Sequence, residues 1–69
     1  MNRPTLSGRE LDAIRLIAEG RSNKEIGVQL GITEGTVKTH VKSVLFKLKA
    51  PGRTAAVREA VHRGLVHMV

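Results

Sequence analysis

The chain has 69 residues, enough for one small domain and no more. It carries 12 Lys/Arg against 6 Asp/Glu, a net charge of +6, and has no cysteine, which excludes a disulfide framework and any thiolate metal site. Hydrophobic residues make up 41% of the chain and there is a single aromatic, Phe46. That composition suits a small helical core of Leu, Ile, Val and Ala and argues against a base-stacking platform for single strands or RNA.

After a short lead-in, Ser7-Gly8-Arg9-Glu10 reads as a capping box, in which the Ser7 hydroxyl takes an orphan N–H of the first turn and the Glu10 carboxylate reaches back to the cap. Helix 1 is expected over about 8–19, with Leu11, Ile14, Ile17 and Ala18 inward and Gly20 as its stop. A second box, Ser22-Asn23-Lys24-Glu25, starts helix 2 at about 23–30, which buries Ile26 and Leu30 and ends at Gly31. Gly27 costs this short helix about 1 kcal/mol relative to Ala. Close approach of the next helix is one reason for it and weak local design is the other. Ile32 is a joint, Thr33 caps helix 3, and Glu34 favours the positive end of its dipole. Two capped helices joined by Gly31-Ile32-Thr33 form a helix-turn-helix.

Helix 3, about 34–49, has two faces. Val37, Val41, Val44, Leu45 and Leu48 recur at helical spacing as one apolar stripe. Lys38, Lys42 and Lys49 flank it, and Thr39, Ser43 and Phe46 lie opposite. No acid occurs between Glu34 and Glu59, whereas residues 1–34 are nearly balanced in charge. A cationic element of this kind predicts a polyanion partner, and a helix with one core face and one small, polar, basic face fits a DNA major groove. A merely solvated basic face is the plainer alternative. Ala50-Pro51-Gly52 stops the helix. Helix 4 follows at about 53–63, with Ala56, Val57, Ala60 and Val61 inward and Gly64 at its end. Leu65 to Val69 is an apolar tail expected to fold back on the core. The fold class is therefore all-α with four helices, and the sequence shows no apolar leader and no run long enough to span a bilayer, so the cytoplasm is the expected location.

Several blocks recur together: Leu6-x-x-Arg9-Glu10-Leu11, Ala18-Glu19-Gly20-x-Ser22-Asn23-Lys24-Glu25-Ile26, Leu30-Gly31-Ile32-Thr33-Glu34-Gly35-Thr36-Val37-Lys38-Thr39-His40-Val41, Lys47-Leu48 and Arg53-Thr54-x-Ala56-Val57. In this order and spacing they closely resemble the LuxR-type helix-turn-helix, the DNA-binding domain of NarL/FixJ response regulators and of quorum-sensing regulators. The resemblance runs from about Thr5 to Val66. It implies a single four-helix LuxR-type domain that binds double-stranded DNA in bacterial transcription control, with the third helix in the major groove and no catalytic activity. It also implies that the chain is the C-terminal output domain of a larger two-component regulator rather than a stand-alone one.

The positions that match the family's base readers are Lys38, Thr39 and Lys42, with Gly35 nearby. The chemistry agrees: Lys donates to guanine O6/N7 and the Thr methyl meets a thymine methyl, although a lysine touching only phosphate is the simpler role. Phosphate contacts are expected from the two helix starts, Ser22, Asn23 and Lys24 on helix 2 and Thr33 and Thr36 on helix 3, and from Lys47. For Glu10 capping is a sufficient role.

The family pairs on DNA through helix 4, and the matching face is Thr54, Arg58, Val61 and Leu65. Two Arg58 side chains near a two-fold axis would repel, partly offset by Glu59, so the isolated domain is expected to be a monomer or weak dimer that becomes a homodimer on DNA. RNA polymerase is a further possible partner, and a protein-interaction module docking on it or on another regulator is the competing function. His40, His62 and His67 lack further ligands at metal spacing, so no metal or other cofactor is expected, and His40 reads as a packed residue. The chain departs from the family at Gly27, where Ala is usual, at Gly52, where Asp or Asn commonly caps helix 4, and at Phe46, which replaces a basic or polar residue.

Overall fold

The computed structural model describes residues 5–67. It contains α1 (Gly8–Ala18), α2 (Asn23–Leu30), α3 (Glu34–Leu48) and α4 (Arg53–His62), within a residue or so of the ends that caps and breakers predict. The all-α, four-helix architecture is as expected. No helix among the described residues is long and apolar enough to cross a membrane.

The helix ends form for local reasons. The Ser7–Glu10 and Ser22–Glu25 capping boxes are both closed, with each serine oxygen accepting from the N3 amide and each glutamate accepting from the serine amide. Gly20, Gly31 and Gly64 take left-handed φ values of 88°, 70° and 76° after α1, α2 and α4. At the end of α3 a lysine does the same: Lys49 has φ 54° and its N–H reaches back to the last turn. Gly52 precedes α4 without any side-chain cap bond.

The apolar stripe of α3 serves two clusters at once. Its first half, Val37 and Val41, packs with Leu16 and Ile26, joining α3 to α1 and α2. Its second half, Val44 and Leu48, packs with Ile14, Ala56, Ala60 and Val66, joining α3 to α1, α4 and the chain beyond it. Leu45 and Ile17 contact both clusters. The tail does fold back as far as Leu65 and Val66; Met68 and Val69, like Met1 to Pro4, lie outside the described residues.

Three burial expectations are corrected. In α1 the fully buried residues are Glu10, Ala13, Ile14 and Leu16, while Leu11, Ile17 and Ala18 are half-buried. The reason is that α1 contacts α2, α3 and α4 and so buries a wider arc than one stripe. In α4 Val61 is 38% exposed rather than inward, because the face turned to the core is taken by Ala56 and Ala60, with Val57 packed beside them. In α3 Ser43 is half-buried, drawn to Glu10 instead of standing free opposite the core.

Gly27 is explained by close approach. A Cβ there would lie 2.8 Å from the Ile32 carbonyl oxygen and 3.5 Å from the Glu34 nitrogen, both backbone atoms of the turn that sets α3. Gly27→Val is expected to destabilise the fold by about 2 kcal/mol, through displacement of the turn. Gly27→Ala brings the same Cβ against that backbone oxygen and is expected to destabilise by about 1 kcal/mol, less than Val because it gains helix propensity and adds no further methyl groups. Urea unfolding of the two variants checks both values.

Candidate DNA interface

α3 projects its N-terminal half from the helix-turn-helix with its polar side outward. Thr33 caps it by accepting the Thr36 N–H at 3.1 Å, and the two threonine hydroxyls lie 2.8 Å apart. Thr39 donates its hydroxyl proton to the Gly35 carbonyl at 3.2 Å, which engages the hydroxyl within the helix. Gly35, Thr36, Lys38, Thr39 and Lys42 are all exposed, whereas Val37 and Val41 between them are buried. His40 is half-buried on the edge of the core stripe.

The electrostatics follow from where the acids are placed. Among the described residues, Asp12 pairs with Arg9, Glu19 with Arg21, Glu59 with Arg63 and Glu10 with Lys47. Glu25 is held below the ordinary carboxylate range mainly by the Ser22 N–H. Lys38, Lys42 and Lys49 have no ion-pair partner among these residues, so the outer side of α3 keeps its positive charge.

The start of α2 lies beside that of α4. Ser22 and Lys24 are exposed, and Asn23 is half-buried because its Oδ1 accepts from Arg53 Nη1 at 2.6 Å. Arg53 Nη2 also donates to the Arg21 carbonyl. Since a guanidinium only donates, the oxygen of the Asn23 amide must face Arg53, leaving the NH₂ group for another acceptor. The 30-residue separation of Asn23 and Arg53 hid this pair from sequence reasoning.

Lys47 occupies a different setting from the other candidates. Its Nζ lies 2.8 Å from Glu10 Oε1 and 3.1 Å from the Thr5 carbonyl, with the side chain only 27% exposed. The Ser43 hydroxyl donates to the other Glu10 oxygen. Burial pushes the Glu10 carboxyl up, but the hydrogen bonds from Lys47, Ser43 and the Ser7 N–H, with the charge on Lys47, outweigh it and hold the group at about 2. Glu10 thus does more than cap α1: it ties α1 to the far half of α3.

On α4, Thr54 and Arg58 are exposed and Val61 partly so, at i, i+4 and i+7 along one side. Leu65 is half-buried and packs on the core cluster. Glu59, expected to offset Arg58, is instead bound to Arg63 at 2.6 Å.

A family model described as bacterial regulatory proteins, luxR family, matches residues 4–60, which include the three capped helix starts, the start of α4 and the exposed face of α3. The chain belongs to the luxR family. Like other luxR-family domains it is a helix-turn-helix DNA-binding domain of a transcriptional regulator rather than an enzyme. It is 49% identical over 63 residues to the transcriptional regulatory protein LiaR of Bacillus subtilis, covering 91% of this chain and 30% of LiaR. It is 46% identical over 61 residues to the response regulator protein VraR of Staphylococcus aureus, covering 88% of this chain and 29% of VraR. This luxR-type chain therefore spans less than a third of the length of these two relatives. Among solved structures, the transcription factor GerE superposes with a TM-score of 0.87 at 35% identity, over 94% of this chain and 97% of GerE. The response regulator ChrA of a heme-sensing two-component system superposes with a TM-score of 0.88 at 37% identity, over 94% of this chain and 32% of ChrA.

Proposed function

We propose that this luxR-type domain is the output domain of a two-component response regulator and reads duplex DNA by laying the first half of α3 in the major groove. The observation that carries the reading is the exposed set Gly35, Lys38, Thr39 and Lys42, on the side of α3 away from its buried valines, with neither lysine in an ion pair among the described residues. Lys38 and Lys42 are one helical turn apart and reach base edges, Thr39 offers a methyl to thymine, and Gly35 lets the groove wall approach the helix. Ser22, Asn23 and Lys24 at the start of α2, with Thr33 and Thr36 at the start of α3, grip the flanking phosphates through donors at two positive helix ends. Lys47 reaches phosphate only by leaving Glu10, so its part is secondary. The response-regulator assignment draws on the similarity to VraR and ChrA.

Two copies pair on DNA through Thr54, Arg58 and Val61 of α4, with Leu65 supporting that surface from below. Pairing of that kind demands a site with two-fold symmetry. Selection of bound duplexes from a random pool tests both claims. Enrichment of one motif repeated in inverted orientation is expected. Recovery of no common sequence would overturn base reading, and a single unrepeated motif would overturn pairing through α4. A second reading, docking on RNA polymerase or another regulator, draws on the 81% exposure of Phe46; a pull-down that survives loss of Lys38 and Lys42 but not of Phe46 would favour it.

A further inference from the structure

Phe46 is an aromatic side chain left 81% exposed in a domain that buries smaller apolar residues completely. It is the single exposed large apolar residue on α3; the others among the described residues, Val28 and Val61, belong to α2 and α4. Its position on the helix is what gives it meaning. At 3.6 residues per turn, Phe46 lies about 20° from Thr39 and about 40° from Lys42 around the axis, and about 10 Å beyond Thr39 along it. Gly35, Thr39, Lys42 and Phe46 thus form one line on the side of α3 away from Val37, Val44 and Leu48. Ser43 and Lys47, the residues that flank this line toward α1, are turned away to Glu10 and leave the ring uncovered.

We propose that Phe46 is a specificity-determining residue that extends the α3 readout by packing its ring against the C5-methyl group of a thymine at the outer end of the half-site. This rests on the major-groove reading given above. A duplex is the occupant that the surroundings favour. Lys42, one turn back, and Lys49, at the helix end, are exposed cations beside the ring, suited to the phosphates that border a groove. A protein partner would want several apolar anchors in a patch depleted of charge, and α3 offers one ring among lysines. In the major groove the thymine methyl is the apolar feature that an aromatic side chain meets.

The test starts from the site that the parent domain selects and measures binding by fluorescence anisotropy. Replacing thymine by uracil at each position removes only the methyl group. At one position outside those that depend on Lys38 and Lys42, this change is expected to weaken the parent about fourfold, the value of one buried methyl group. Phe46→Ala should bind the thymine site about fivefold to tenfold more weakly, lose its response to uracil at that position, and keep the parent's salt slope, because no charge is removed. Its thermal midpoint should not fall, since the ring is 81% exposed and Ala is the better helix former. If the parent responds to no thymine that Phe46→Ala ignores, or if Phe46→Ala selects the same motif with equal affinity, the inference is overturned while base reading by Lys38 and Lys42 stands. If the parent selects no motif, base reading itself has failed. Loss of binding to another protein on Phe46→Ala, with DNA selection intact, would replace this inference by a docking role.

Discussion

Replacing Lys38 and Lys42 together by alanine is expected to remove the preference of the domain for its selected site over scrambled DNA. Each well-formed side-chain pairing with a base edge discriminates by about 1–3 kcal/mol. Two of them amount to about 30-fold at the low end and on the order of 10⁴-fold at the high end. Folding should be untouched, because both side chains are exposed and neither takes part in an ion pair among the described residues. Anisotropy titrations of parent and double variant on selected and scrambled duplexes, at several salt concentrations, decide the point. Base reading predicts a large loss on the selected duplex and a small one on the scrambled duplex. If the two lysines touch only phosphate, both duplexes weaken equally and the salt slope falls by about 0.9 for each lysine. Thr39 gives a finer check within the same series. Its hydroxyl is bonded to the Gly35 carbonyl, so Thr39→Val keeps the methyl surface and should retain thymine preference better than Thr39→Ala.

Much of this domain is legible from the chain because its decisive features are local. A capping box is closed by residues three apart, a left-handed glycine follows the helix it ends, and the stripe of α3 follows from the helix pitch alone. The outer side of α3 was therefore readable before any tertiary contact was known. What stayed hidden depends on distances through space between residues far apart in sequence. Glu10 and Lys47 are 37 residues apart, and Asn23 and Arg53 are 30 apart, and nothing near any of the four announces its partner. The same holds for burial: Leu16 lies off the stripe of Leu11, Ile14, Ile17 and Ala18 and is buried only because it packs with Ile26, Val37 and Val41, and Val61 looks like core although Ala56, Val57 and Ala60 make the contact beneath α4. Charge counting told where the cations are, and only the fold tells which of them are spent. Lys47 is bound within the domain, whereas Lys38 and Lys42 remain for a partner.

That spent lysine has a measurable consequence. Glu10 is held at about 2 in the folded domain, against an ordinary value of 4.5. A carboxyl lowered on folding favours the folded state above its unfolded value. The contribution is full above about pH 5, declines as pH falls through the interval between the two values, and is gone below about pH 2. The interval corresponds to about 3 kcal/mol at neutral pH, a large part of the stability of a domain this small. Glu10→Gln keeps a carbonyl oxygen for the Ser7 cap but removes the charge that holds Lys47. It is expected to lower stability at pH 7 by about 2–3 kcal/mol, or roughly 10–20 °C in thermal midpoint at this chain length. The gap between parent and variant should narrow from pH 5 downward and vanish near pH 2. A role limited to capping predicts otherwise: glutamine also serves at that position of a capping box, so the gap would stay within about 1 kcal/mol and would not change with pH. Adding Lys47→Met separates the ion pair from the cap. In the Lys47→Met background Glu10→Gln should cost much less than in the parent, because the glutamine oxygen still accepts the Ser7 N–H and its NH₂ group can donate to the Ser43 hydroxyl, which reverses its role. Equal costs in the two backgrounds would show that Lys47 is not what holds the carboxylate. Lys47 would then be free for DNA phosphate at little expense to the fold.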